Sequence, residues 1–356
     1  MTLRELTIQN LRNLNHLKLS FHPHLNIISG PNGIGKTTLL EAIYLLSCAK
    51  SFRTHEISSL VTHGLSTFTL HGKRYDDYTM AIQKSLSAPS VMKINDDICS
   101  SSVEFARSMP TQLFYQDIFQ IIDSGPATRR SVLDWGLFHV KHHYYQLWKN
   151  YRRVLKQRNS LLRQNAKSSE FVPWDELLAN LGHEMDLMRQ EYVDNLACEF
   201  KSTLAAISDL DCTLDYFRGW GRRNELVDLK TVLSESLNSD RQYKYTRYGA
   251  HQADLLFLTN EHKAKHALSR GQQKIILFAL KISQVKLLDK PCIYIIDDLF
   301  AEFDGANSRR LLEYLIDLKG QLFITCHDGL PSDLDHNNYD YSDIKLTGDT
   351  LIKDFI

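Results

Sequence analysis

The chain has no net charge: 42 basic and 42 acidic residues cancel across 356 positions, so composition alone announces no polyanion partner. It also lacks any run of eighteen apolar residues, which excludes a membrane-spanning helix. The N-terminus has no basic-then-apolar leader pattern, because polar and charged residues interrupt Leu3 to Leu19. Six cysteines (Cys48, Cys99, Cys198, Cys212, Cys292, Cys326) are too dispersed for a metal-ligand spacing. They read as buried, reduced thiols of a cytoplasmic protein. There is no internal repeat and no low-complexity tract. What remains is an ordinary globular composition, 43% hydrophobic and 24% charged, long enough for one large domain or two smaller ones.

The first thirty residues alternate as strands over Leu3–Ile8 and His16–Phe21, followed by the apolar run Leu25–Ile28. Glycines then break the chain, and from Lys36 to Ala49 apolar residues recur at helical spacing. Residues 67–98 read as further strands. From about 126 the character turns helical, with long patterns over Tyr144–Gln164 and Trp174–Phe200 joined by a polar stretch, a helical hairpin. After about 245 it returns to α/β: a helix over Ser269–Leu288, a buried strand over Cys292–Ile296, a helix over Asn307–Leu318 and a strand over Leu322–Thr325. The expected architecture is an α/β head of mixed sheet and helices, built from both ends of the chain (1–125 and 241–356). A helical arm or lid is inserted over 126–240.

The strand–glycine–helix junction carries Gly30-Pro31-Asn32-Gly33-Ile34-Gly35-Lys36-Thr37, which matches G-x-x-x-x-G-K-[ST]. The glycines let backbone N–H groups turn toward phosphate oxygens, Lys36 adds a point charge, and the Thr37 hydroxyl can ligate Mg²⁺; Thr38 follows on the same helix. Average residue frequencies give such a match by chance in roughly one chain of this length in a hundred. ATP with Mg²⁺ is therefore the expected ligand pair.

The strand Cys292–Ile296 ends in Asp297-Asp298. Asp297 is placed to hold the metal, directly or through water, and Asp298 to orient an attacking water as general base. Strand ends carry acids for solubility too, so this signal draws its strength from the P-loop.

Leu268-Ser269-Arg270-Gly271-Gln272-Gln273 opens a helix 28 residues before Asp297. Ser269 suits an N-cap, which is all a bland reading requires. In a P-loop chain the segment resembles the L-S-G-G-Q signature of ABC ATPases, with Arg270 in place of the first glycine. That resemblance implies a head-to-tail homodimer sandwiching two ATPs, in which Ser269, Gly271 and Gln272 of one subunit cover the γ-phosphate held by the other. It also implies that residues 300–304 form the loop crossing the dimer interface, that His327 senses the γ-phosphate, and that Gln116 couples nucleotide to the arm.

Charge is segregated within the neutral total. Residues 129–167 hold ten bases and one acid, whereas 168–235 hold fourteen acids and six bases. Lys149, Arg152, Lys156, Arg163 and Lys167 share one helix face; Trp148, Tyr151, Leu155 and Leu162 fall on another. The basic face is a candidate stripe for the phosphates of double-stranded DNA. Pairing with the acidic helix that follows competes with that reading.

These motifs together resemble the RecF family of bacterial recombination-repair ATPases, related to the structural-maintenance-of-chromosomes proteins. The resemblance runs nearly end to end. It rests on Leu6–Asn13, the P-loop with Leu40–Tyr44 and Ser51–Thr54, Gly125-Pro126 with Arg129-Arg130 and Leu133-Asp134, Tyr151–Asn159, Ser269–Lys274, and Asp297-Asp298 with Asp304. It implies slow, DNA-stimulated ATP hydrolysis and binding at gap junctions. It further implies action with RecO and RecR to load a recombinase, and approach of Arg12, Asn13 and Thr54 to the nucleotide. This chain departs from the family pattern at Gln252 and Ala253, after His251, and at Gln116-Asp117. The rival readings are an ABC transporter subunit, a small-molecule P-loop kinase and a non-hydrolysing ATP-gated scaffold.

Overall fold

The computed structural model describes residues 1–221, 227–299, 305–329, 339–347 and 351–355, with the side chains of 116–117, 305–306 and 351–355 outside the description. Residues 300–304, expected to cross a dimer interface, therefore lie outside the described residues.

Two compact units emerge, Met1–Asp117 with Asp289–Ile356, and Ile118–Leu288. The inserted unit is thus larger than the expected 126–240, and it carries the signature-like helix that the sequence had assigned to the C-terminal head.

The first unit begins with β1 (Leu3–Leu11), β2 (Leu14–Ser20), β3 (Leu25–Ser29) and α1 (Lys36–Cys48). β4 (Thr67–Arg74), β5 (Thr79–Ser85), β6 (Val91–Ile94), β7 (Asp97–Ile98), α2 (Ser102–Ser108) and β8 (Thr111–Phe114) follow. The inserted unit runs through α3 (Gln120–Asp123), α4 (Pro126–Val140), α5 (Tyr144–Gln164), α6 (Val172–Ile207), β9 (Thr213–Phe217) and α7 (Leu229–Tyr243). It closes with β10 (Asp254–Thr259), β11 (His262–Lys263), α8 (Ala264–Ala267) and α9 (Arg270–Lys286). The chain then returns to the first unit with β12 (Cys292–Ile296), α10 (Gly305–Ile316), β13 (Gly320–Thr325), β14 (Tyr341–Leu346) and β15 (Leu351–Phe355).

The first unit holds two sheets. One is antiparallel in the order β2-β1-β4-β5-β6-β7. The other runs β15-β14-β3-β13-β12-β8, parallel except for the β14–β15 pair. Its central strands β3, β12 and β13 are buried at every position, which is why they are mostly apolar, without a break in β12, instead of alternating. α1 packs against strands of both sheets, so nine of its thirteen residues are buried and its apolar residues are not confined to one stripe. A core of Leu6, Ile8, Leu39, Ile43, Leu46, Phe68, Ile293 and Phe323 joins the two sheets through this helix.

In the inserted unit the 36-residue α6 is the spine on which α4, α5, α7 and α9 pack, and β11-β10-β9 form a small antiparallel sheet. The hairpin of α5 and α6 stands as expected, with α6 extending past both expected ends. Two buried arginines tie the helices together. Arg158, fully buried, donates to Asp175 of α6 at 2.6 Å, to Asp240 of α7 at 2.7 Å and to the Thr246 hydroxyl at 2.8 Å. Arg189 of α6 donates to the Tyr144 hydroxyl at 3.0 Å, to Asp134 of α4 at 2.9 Å and to the Ala250 carbonyl at 2.6 Å. Buried charges persist only when their donors are satisfied in this way.

Candidate functional site

β3 delivers the chain to the P-loop in three left-handed glycines, Gly30, Gly33 and Gly35. At Gly30 (φ 143°) a β-carbon would stand 2.5 Å from the Leu346 carbonyl oxygen at the end of β14, so only glycine fits. Pro31, Asn32 and Gly33 are exposed, Ile34 half-buried and Gly35 buried. Lys36 folds back over the loop, its ammonium 2.5 Å from the Gly30 carbonyl and 3.2 Å from that of Pro31. The loop is braced from the β1–β2 turn: Asn13 donates to the carbonyls of Gly33 (3.3 Å) and Ile34 (3.1 Å), and accepts from the Thr38 hydroxyl at 3.1 Å.

The Thr37 hydroxyl meets the Asp297 carboxylate at 3.1 Å. Asp297 sits where β12 ends, and its neighbour on β13, Thr325, donates its hydroxyl to Asp297 at 2.6 Å. The same hydroxyl accepts the Asp298 backbone N–H at 2.9 Å. That bond fixes a turn in which Asp298 takes a left-handed conformation (φ 57°) and presents an exposed carboxylate. Burial pushes the Asp297 carboxyl above the usual carboxylate range and the charge of Asp298 adds to this, while bonds from Thr325 and Thr37 oppose it. A half-buried carboxylate beside a hydroxyl is an oxygen donor pair suited to a hard cation such as Mg²⁺.

A cavity of about 430 Å³ collects these groups: Asn32, Gly33, Gly35, Lys36, Thr37, Thr38, Asp297 and Asp298, with Arg12 and Asn13. Arg12, in a left-handed conformation (φ 50°), is held by the fully buried Glu41 of α1 through a fork at 2.5 and 3.0 Å. The Ser51 hydroxyl bonds the same carboxylate. Two further residues line the cavity that sequence reasoning did not place there, Arg53 and Thr325. Arg53 had a signal, since it lies beside Thr54 in a segment already suspected. Thr54 itself is not among the lining residues; its backbone N–H caps onto Ser51. His327 is 60% exposed and bonds its neighbour Asp328 at 2.7 Å, while its carbonyl accepts the Gly30 N–H at 3.2 Å. Gln116 opens a short helical turn, and its side chain lies outside the described residues.

In the inserted unit Ser269 caps α9 through a capping box, its hydroxyl accepting from Gln272 N–H at 3.3 Å while Gln272 accepts the Ser269 N–H at 2.9 Å. Ser269 and Gly271 are exposed, and a β-carbon at Gly271 would meet nothing within 4 Å. Arg270, where the signature has glycine, pairs with Asp123 at 2.6 Å and lies over the Phe119 ring.

On α5, Lys149, Arg152, Lys156 and Arg163 are all exposed, and with Arg153 they line a concavity of about 670 Å³ that contains no acidic residue. None of these five has an ion-pair partner among the described residues; from the same charge run α6 pairs with Lys141 and Arg158 instead. Leu155, expected on another face than the basic residues, lines the basic concavity, whereas Tyr151 and Leu162 are buried. Of the cysteines, Cys198 is exposed and Cys48 half-buried, against the expectation of burial, and none forms a disulfide.

No helix among the described residues is long and apolar enough to cross a membrane. The P-loop between β3 and α1, the Asp-Asp turn of β12 and the capped signature-type helix α9 define an ABC-type P-loop ATPase.

The family model of the RecF/RecN/SMC N-terminal domain matches residues 2–334. The chain is 35% identical over 332 residues to the DNA replication and repair protein RecF of Francisella tularensis subsp. mediasiatica, covering 91% of this chain and 94% of that one. It is 38% identical over 338 residues to RecF of Stutzerimonas stutzeri, covering 92% and 90%. The solved structure of the recombination mediator protein RecF with ATP, of the RecFOR pathway, is 27% identical at a TM-score of 0.85 over 99% of this chain and 97% of that one. An SMC head bound to a winged-helix domain of ScpA shares the fold at a TM-score of 0.61 and 14% identity. The chain belongs to the RecF family.

Proposed function

We propose that this chain is an ATP-driven DNA clamp of recombinational repair and replication restart, a slow ATPase stimulated by DNA. Lys36 and the loop N–H groups bind the ATP phosphates, with Arg12 and Arg53 adding positive charge beside them. Thr37 and Asp297 are the residues that would hold Mg²⁺, which when bound neutralises charge developing on the phosphoryl oxygens. Asp298, held outward by the Thr325 hydroxyl, orients the attacking water and accepts its proton.

The observation that carries the clamp is the open N-terminus of α9. Ser269, Gly271 and Gln272 are presented with no side chain over Gly271, as a second subunit's nucleotide would require. ATP then closes a two-fold homodimer, His327 reports the γ-phosphate to the dimer interface, and Lys149, Arg152, Lys156 and Arg163 grip duplex phosphates near gap junctions. RecR and RecO are the partners the family implies. A transporter subunit would require a coupling surface for a membrane partner, and no relative described above suggests one.

The test is DNA binding by fluorescence anisotropy with ATP and Mg²⁺, with ADP, and with a Lys36→Ala variant. Tight, salt-sensitive binding in the first condition alone supports the reading. Equal binding in all three would refute the coupling of nucleotide to DNA.

A further inference from the structure

Beyond the phosphate stripe, the inserted unit displays two largely exposed aromatic rings. Tyr243, the last residue of α7, is 56% exposed, and Tyr245 is 47% exposed. Between them Lys244 takes a left-handed conformation (φ 63°), which ends the helix and turns both rings to the surface. Their centroids lie 6.1 Å apart. Arg247, which also pairs with Asp240 at 3.6 Å, lies over the Tyr243 ring at 5.0 Å, and the exposed Lys244 stands between the two tyrosines. Large exposed rings among cations are the combination that binds unpaired nucleotides, since every base has a face to stack and every linkage a charge to neutralise.

The position of the pair gives the combination its meaning. Lys244 donates to the Asn165 side chain at 2.6 Å, one residue beyond the end of α5. Thr246 donates its N–H and its hydroxyl to Asn159 at 2.8 and 2.7 Å, and Asn159 lines the basic concavity. The rings are therefore pinned to the C-terminal end of the stripe. From Lys149 to Arg163 the helix rises about 21 Å, which spans about six phosphates of one DNA strand.

We propose that Tyr243 and Tyr245 form a stacking platform for unpaired bases at the end of the duplex-binding stripe, so that one face of the arm reads the junction between double- and single-stranded DNA. This inference rests on the clamp reading and gives it a determinant of substrate structure. Duplex phosphates lie along Lys149, Arg152, Lys156 and Arg163, and the strand that leaves the duplex lays its bases on the two rings.

The experiment compares three labelled DNAs in ATP and Mg²⁺: a blunt duplex, the same duplex with a single-stranded overhang, and the single strand alone. Wild-type protein is expected to favour the overhang over the blunt duplex. The double variant Tyr243→Ala/Tyr245→Ala is expected to lose about tenfold in affinity for the overhang and the single strand while keeping its blunt-duplex affinity. Tyr243→Phe/Tyr245→Phe, which keeps both ring faces, is expected to restore binding. An alanine variant that binds the overhang as wild type does overturns the platform, as does an equal loss on all three DNAs. Wild-type protein that binds none of them overturns the clamp reading itself, a separate result.

Discussion

Thr37 and Asp297 stand 260 positions apart in the chain, yet the hydroxyl of one lies 3.1 Å from the carboxylate of the other. The first is set by the P-loop helix and the second by the end of β12. Thr325 on the adjacent strand holds the carboxylate in place. If this trio is the metal-holding edge of the site, Asp297→Asn retains the fold and binds nucleotide, but lowers Mg²⁺-dependent turnover by about a hundredfold or more. Steady-state phosphate release with and without Mg²⁺ checks this; unchanged turnover would remove Asp297 from the site.

The Arg12–Glu41 fork yields a stability prediction. Glu41 is fully buried and answers Arg12, Ser51 and, at 3.8 Å, Arg53. Glu41→Ala leaves those donors without their acceptor and is expected to cost about 3 kcal/mol, measured by denaturant unfolding. ATP affinity should fall with it, because Arg12 and Arg53 lose the group that aims them.

Two residues on one helix should behave in opposite ways. Lys156 is exposed in the basic concavity, so Lys156→Ala is expected to leave stability unchanged and reduce the salt slope of DNA binding by about one. Arg158, two positions on, is fully buried between Asp175 and Asp240. Arg158→Ala strands two carboxylates and is expected to destabilise by about 3–5 kcal/mol. If both variants lost only DNA affinity, the assignment of Arg158 to the fold would be wrong.

That contrast also shows how much the sequence disclosed. The P-loop is a contiguous string, so its eight residues and the flanking strand and helix were readable directly. Helical spacing gave the basic face, but Arg158 lies in the same charge run as Lys156, and only the approach of α6 and α7 separates them. The inserted unit reaches Leu288 because α9 packs on α6 and β10 pairs with β9 across the 36 residues 218–253. No local window registers such pairing, and motif order alone places the signature-like helix with the head. The roles of Thr325 and Glu41 were hidden for the same reason: each acts on a residue brought to it by tertiary contact.

His251 supplies a pH dependence. Its Nδ1 accepts from the Tyr151 hydroxyl at 2.8 Å and its Nε2 donates to the Thr246 carbonyl at 2.9 Å, an arrangement for the neutral ring. Burial first, and then the charges of Arg130, Arg158 and Arg189, depress its pKa to about 4 from 6.5. The unfolded chain takes up this proton first, so the stabilisation is complete above about pH 6.5 and is lost as pH falls toward 4, amounting to about 3 kcal/mol at most. His251→Gln is expected to flatten that part of the stability profile. An unaltered profile would show that the ring does not titrate as placed.

The central claim is that ATP closes two copies of this chain on DNA. The most direct measurement is the mass in solution by light scattering with no nucleotide, with ADP, and with ATP and Mg²⁺, each with and without a short gapped duplex. The account predicts a monomer that becomes a dimer with ATP and Mg²⁺ alone, and a dimer that retains DNA in a salt-sensitive manner. A monomer in every condition, with no DNA bound at low salt, would contradict it.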